Sequence, residues 1–127
     1  MWTILKINKK KLGVLKNELS KKLGNEIIFY QPKFKIDKFI KNKLKNKYID
    51  IVGDYIFCYH KSLICKNMIN QLQYCNGIKY FLNGHKQNQL DIINFVKKLK
   101  SFENKEGYVS KSFFNLNKNS YYKFSTG

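Results

Sequence analysis

The chain has 127 residues, 43% of them apolar, and a formal charge of +17 that rests on lysine alone, because arginine is absent. That length supports one core of ordinary size, and the apolar share argues against default disorder. No apolar run approaches the ~18 residues of a membrane span. No paired carboxylates, no Ser-His or Cys-His constellation and no glycine-rich phosphate loop stand out, which counts against an enzyme.

The opening stretch Trp2–Ile7 is rich in β formers and predicts a first strand. From Lys9 to Gly24 the period changes. Leu12, Leu15, Leu19 and Leu23 recur at three- and four-residue steps and predict a helix that stops at Gly24-Asn25. Residues 26–30 form a second strand, and Pro32, the only proline, ends its regular part or places it at an edge. Residues 33–47 hold seven lysines and one acid, Asp37, and read as a continuing strand with a basic hairpin tip near Lys41-Asn42-Lys43.

A third strand is expected over 48–59, with Gly53-Asp54 as a bulge or bend. Tyr55, Phe57 and Tyr59 are spaced by two and therefore share one face. That stripe is either core or a partner surface. A second helix is predicted over 63–74, with Ile64, Met68 and Leu72 on one side. A fourth strand covers 78–82, a turn falls at Asn83-Gly84, and a third helix runs over 90–103 with Ile93, Val96 and Leu99 inward, backed by Ile92 and Phe95. The order is β-α-β-β-α-β-α. It predicts an α+β chain of the ferredoxin-like kind, with a four-stranded antiparallel sheet and helices packed on it. Residues 105–127 are Asn/Ser/Lys-rich and read as a linker followed by an interrupted strand.

Cys58, Cys65 and Cys75 show no CxxC spacing, so reduced thiols are expected, with no disulfide, metal or cofactor. His60 and His85 lack the neighbours that catalysis needs. The N-terminus enters a strand directly rather than a signal-peptide layout, and the expected compartment is the cytoplasm. A positive field of this size attracts polyanions. An AT-rich coding sequence enriches Lys, Asn, Ile and Tyr as well, so part of the charge needs no functional cause.

The ordered set Trp2-Thr3-Ile4-Leu5, Tyr30-Gln31-Pro32-Lys33, Gly53-Asp54-Tyr55-Ile56-Phe57 and Gly77-Ile78-x-x-Phe81-Leu82 resembles the N-terminal domain of NusG-type transcription elongation factors. The likeness is nearest to the specialised RfaH-like paralogues and runs over residues 1–104. The tail Tyr122-Lys123-Phe124-Ser125-Thr126-Gly127 looks like the start of a truncated KOW domain, the family's second module.

The resemblance implies a non-enzymatic transcription elongation and antitermination factor. It would bind the clamp helices of the largest RNA polymerase subunit and suppress pausing or termination. Carried over by position, the polymerase-binding depression would use Val52, Tyr55, Phe57, Ile93 and Val96. Val52 stands where the family has Phe, and Gly53 where it has Pro. The paralogue's His-Thr-Thr contact to the polymerase gate loop has no counterpart, since the aligned stretch reads Met68-Ile69-Asn70. Upstream or non-template DNA would meet Lys9, Lys10, Lys21, Lys22 and Asn76, with Lys41 and Lys43 on the basic hairpin. Lysine neutralises phosphate without arginine's bidentate grip on guanine, so backbone contact with weak sequence reading is expected. A KOW module would add a ribosome or termination-factor contact, and no membrane contact is implied. The alternative is an RRM-like single-stranded RNA-binding module, because Gly53–Tyr59 imitates the aromatic third strand of that fold.

Overall fold

The computed structural model describes residues 1–110 and Phe113, with the backbone alone for Asp37 and Lys38. The expected KOW-like tail lies outside the described residues. The architecture is α+β. Two compact units divide the chain: Met1–Gln31 with Asp54–Ile93, and Pro32–Gly53 with the described residues from Asn94 onward.

The first unit holds β1 (Trp2–Ile7), α1 (Leu12–Leu23), β2 (Ile28–Tyr30), and then, after residue 53, the strand Tyr55–Tyr59, a short helix Lys66–Leu72 and the strand Ile78–Phe81. With the second unit's hairpin strands Lys33–Ile40 and Lys43–Asp50 numbered β3 and β4, those later elements are β5, α2 and β6. The sheet order is β2-β5-β1-β6, antiparallel at every pairing. β1 lies central because Trp2-Thr3-Ile4-Leu5 offers apolar or β-favouring side chains to both faces. On one face Leu5, Ile7, Ile56 and Cys58 pack with Leu15 and Leu19 of α1 and Leu72 of α2. The leucine period of α1 thus buries its middle pair fully, and Leu12 and Leu23 partly. α1 stops at Gly24, whose φ of 89° suits glycine. Gly77, at φ 99°, is needed for a second reason as well. A Cβ there would stand 3.0 Å from the Lys11 carbonyl and 3.1 Å from Leu15 Cβ, so the turn before β6 lies directly against α1.

Two expectations need correction. The helix predicted over 63–74 is broken at Cys65, which is extended (φ −82°, ψ 117°), leaving a 3₁₀ turn at Lys61–Ile64 and α2 from Lys66. The cause is local: the His60 ring accepts the Ser62 N–H at 3.0 Å and caps a turn that closes before α2 begins. The single strand predicted over 48–59 is two strands, β4 and β5, separated by a turn in which Gly53 takes φ 62°. β4 pairs with β3, whereas β5 pairs with β1 and β2.

In the second unit β3 and β4 form their own two-stranded sheet. Pro32 precedes it, and proline, lacking an N–H, cannot continue a ladder from β2. The register runs from Lys33↔Asp50 to Ile40↔Lys43. Lys41 and Asn42 close it with φ of 53° and 62°, the conformation of a two-residue type I′ turn. The root of the hairpin is anchored. Lys33 O accepts the Val109 N–H at 2.8 Å, Tyr48 stacks on Tyr108 at 5.1 Å, and Lys35 meets Glu106 at 3.5 Å. Phe95 and Phe102 set their rings edge-on to the buried Phe113.

α3 (Gln89–Ser101) begins in the first unit. The Gln89 side-chain amide accepts the Trp2 N–H at 2.9 Å and donates to the Trp2 carbonyl, so one side chain extends the ladder on the edge of β1 beyond β6. Gln89→Ala is expected to lower unfolding free energy by about 1–3 kcal/mol, since two backbone groups lose their partner. Urea denaturation measures it, and Gln89→Glu, which keeps only the acceptor, should fall between.

Candidate functional site

Opposite the helix-covered face, the first unit's sheet carries Trp2, Ile4 and Lys6 from β1, and Tyr55, Phe57 and Tyr59 from β5, with Tyr30 from β2 and Tyr80 from β6. Register sorts them into rows. Ile4, Phe57 and Tyr30 lie side by side, and Lys6 is flanked by Tyr55 on one strand and Tyr80 on the other. The Lys6 ammonium sits 4.7 Å from the Tyr55 ring centroid, and the two phenol oxygens are 3.3 Å apart. The hydrogen bond to Tyr80, followed by burial, pushes the Tyr55 phenol above its ordinary pKa, so it stays neutral. The result is an aromatic platform with one cation set into it. Such a cation over a ring is worth about 0.5–1 kcal/mol at an exposed position.

The predicted polymerase-binding residues fare differently. Tyr55 and Ile93 are half-buried in the first unit, and Val52 is half-buried in the second. Phe57 is 0% exposed, with Trp2 edge-on at 6.5 Å and Tyr30 tilted at 6.1 Å, and Val96 is 3% exposed. The expectation that Phe57 and Val96 line an open depression is therefore corrected. Phe57 occupies the middle row of β5, a strand paired on both edges, with Ile4 and Tyr30 beside it in register. Val96 falls on the inward stripe of α3 with Ile92, Phe95 and Leu99, all buried.

The predicted nucleic-acid residues of the first unit lie at two ends of α1. Lys9 meets the Asp54 carboxylate at 3.6 Å, and Lys10 is exposed beside it. Lys21 and Lys22 are exposed in the last turn, about 18 Å away for a twelve-residue helix. Asn76 is brought close to that region, because its N–H donates to the Glu18 carboxylate at 3.0 Å. Its neighbour Cys75 is pushed up by burial while Lys22 pulls the other way. In the second unit Lys41 and Lys43 are exposed on the hairpin, and so are Lys45 and Lys47.

Among the described residues no group of three His, Cys, Asp or Glu side chains could hold a metal ion. Burial pushes the Cys58 thiol up to about 12, which keeps it protonated and unreactive. Burial lowers the His85 imidazole, so it stays neutral in the folded chain. Among the described residues the Nε2 atoms of His60 and His85 are buried without a hydrogen-bond partner.

Sequence reasoning missed Lys6 and Tyr80. Alternation along β1 places Lys6 on the face of Trp2 and Ile4, but its two tyrosine partners come from strands some fifty and seventy positions later. Among the described residues no helix is long and apolar enough to cross a membrane. No protein-family model matches the chain, and no curated protein sequence matches it.

Proposed function

We propose that the chain is a transcription elongation and antitermination factor of the NusG-like kind, binding RNA polymerase at the clamp helices and holding basic surfaces toward upstream or non-template DNA. The observation that carries this reading is the strand order β2-β5-β1-β6. With the β3–β4 hairpin set aside as an insertion, it reads as two interleaved split β-α-β halves, the ferredoxin-like order that the resemblance implies. A charge of +17 supports the nucleic-acid side. On the protein side the platform of Tyr55, Tyr80 and Lys6 supplies half-exposed aromatic area of the sort enriched at binding hot spots.

The RRM-like alternative is weaker. Base stacking requires open rings on the central strands, and Phe57, the middle ring of that motif, is buried.

Co-purification and gel shift with core RNA polymerase test the proposal. Wild type should bind, and Tyr55→Ala with Tyr80→Ala should weaken binding by about 30-fold, the loss of a ~2 kcal/mol hot spot. Failure of wild type to bind, or a double variant that binds equally well, would refute it.

A further inference from the structure

Register divides the β3–β4 hairpin into two faces of different chemistry. Lys43, Lys45 and Lys47 alternate along β4 and share one face, with Ile40, Lys38 and Ile36 as their cross-strand partners. Phe34 and Ile49 complete that face toward the root, so it contains no acid. Phe39 pairs with Leu44 on the opposite face, and Asn46 lies two residues further along it.

All three lysines are exposed, and among the described residues none of them has a carboxylate partner. Ion pairs do form on the other face, where Asp50 meets Lys33 at 3.9 Å and Glu106 meets Lys35 at 3.5 Å. Three like charges held at a fixed spacing repel one another, and no described side chain of opposite sign relieves them. Alternate strand residues stand ~6.8 Å apart, so the lysines span ~14 Å, the axial length of about four phosphates on one duplex strand. The turn adds a further exposed cation: Lys41 takes a φ of 53°, which asparagine or glycine adopts more readily. A local backbone cost of this kind points toward use of the side chain.

We propose that the lysine face of this hairpin is a contact rail for duplex DNA: Lys43, Lys45 and Lys47 each neutralise one backbone phosphate, while the face of Phe39 and Leu44 is turned away from the DNA. The inference rests on the reading of basic surfaces given above and selects duplex over exposed single strand. A regular row of cations on a strand fits a polymer whose own charges repeat. Single-strand binding joins such cations to rings on which successive bases stack. The cross-strand rows that hold these lysines contain only isoleucine and lysine, and the exposed ring of Phe39 lies on the other face.

The test titrates the full chain onto a dye-labelled duplex of about 25 base pairs, and onto one of its strands alone, at several salt concentrations. Wild type should bind the duplex more tightly than the single strand. Lys45→Gln should weaken duplex binding by about eightfold at 0.1 M salt and lower the slope of log affinity against log salt by ~0.9, the loss of one phosphate contact. Two double variants return the net charge to that of wild type. Lys45→Gln with Ile40→Lys restores a cation to the same face and should recover both affinity and slope. Lys45→Gln with Asn46→Lys places it on the opposite face and should recover neither. Phe39→Ala should match wild type in both. Circular dichroism checks that each variant remains folded. Recovery by Asn46→Lys, or a loss with Phe39→Ala equal to that with Lys45→Gln, would overturn the proposal. So would tighter binding to the single strand, no binding to the duplex, or binding to phosphatidylglycerol vesicles alone. No polymerase is present in the assay, so failure here leaves docking through Tyr55 and Tyr80 standing, and the converse also holds.

Discussion

Phe57→Ala should destabilise the chain by about 3–5 kcal/mol, the range for removing a buried aromatic ring and leaving a cavity. The ring is fully enclosed on β5, a strand paired on both edges, with Ile4 and Tyr30 beside it in register and the Trp2 ring edge-on. Neither flanking strand can move inward without breaking its ladder, so the site will collapse poorly. Domains of this size have about 5–15 kcal/mol of stability in all, and the variant will populate unfolded chain at physiological temperature. Phe57→Leu keeps most of the apolar fill and loses chiefly the edge-to-face contacts, worth about 0.5–1.5 kcal/mol. Urea denaturation separates the two. An alanine variant within 1 kcal/mol of wild type would mean that the ring is not the packing centre described above. The same reasoning makes Phe57 unsuitable as a probe of docking, because lost binding would report unfolding.

Local pattern carried the helices and most strands. The leucine spacing of α1 and the Ile92, Phe95, Val96, Leu99 stripe of α3 are visible without coordinates, since each helix needs only its own residues to define a face. Partner choice between strands was not visible. β4 and β5 both alternate, and Gly53 at positive φ suits a bulge within one strand as well as a turn between two. Only the pairing of Tyr48 with Lys35, and of Tyr55 with Lys6, separates them, and those contacts join distant parts of the chain. The candidate site shows the same division. That Tyr55 and Phe57 share a face follows from a period of two. Which ring is covered does not follow from that period. The lysine run over 33–47 was legible as a basic hairpin with its tip at Lys41-Asn42-Lys43, while the exposure of Phe39 near that tip was not, because a lone aromatic in a strand usually reads as core.

Converting Lys43, Lys45 and Lys47 together to glutamine should reduce the slope of log affinity against log salt for duplex DNA by about 2.7, at ~0.9 per phosphate contact. Loss of the counterion term alone then weakens binding by about 500-fold at 0.1 M salt. The control is a second triple variant, Lys66→Gln, Lys79→Gln and Lys86→Gln, at exposed positions of the first unit. Each triple lowers net charge by three, from +17 to +14, so any effect of overall field is shared. If charge acted only at long range, the two triples would lose affinity equally, and both losses would vanish above a salt concentration at which the screening length falls to a few ångströms. Alternate lysines on one strand face act at contact distance instead, and contact ions are displaced stoichiometrically. The slope, rather than the affinity, therefore distinguishes them: the hairpin triple must flatten it and the control must not. Equal slopes in the two variants would remove the hairpin from the DNA-binding surface, whatever their affinities.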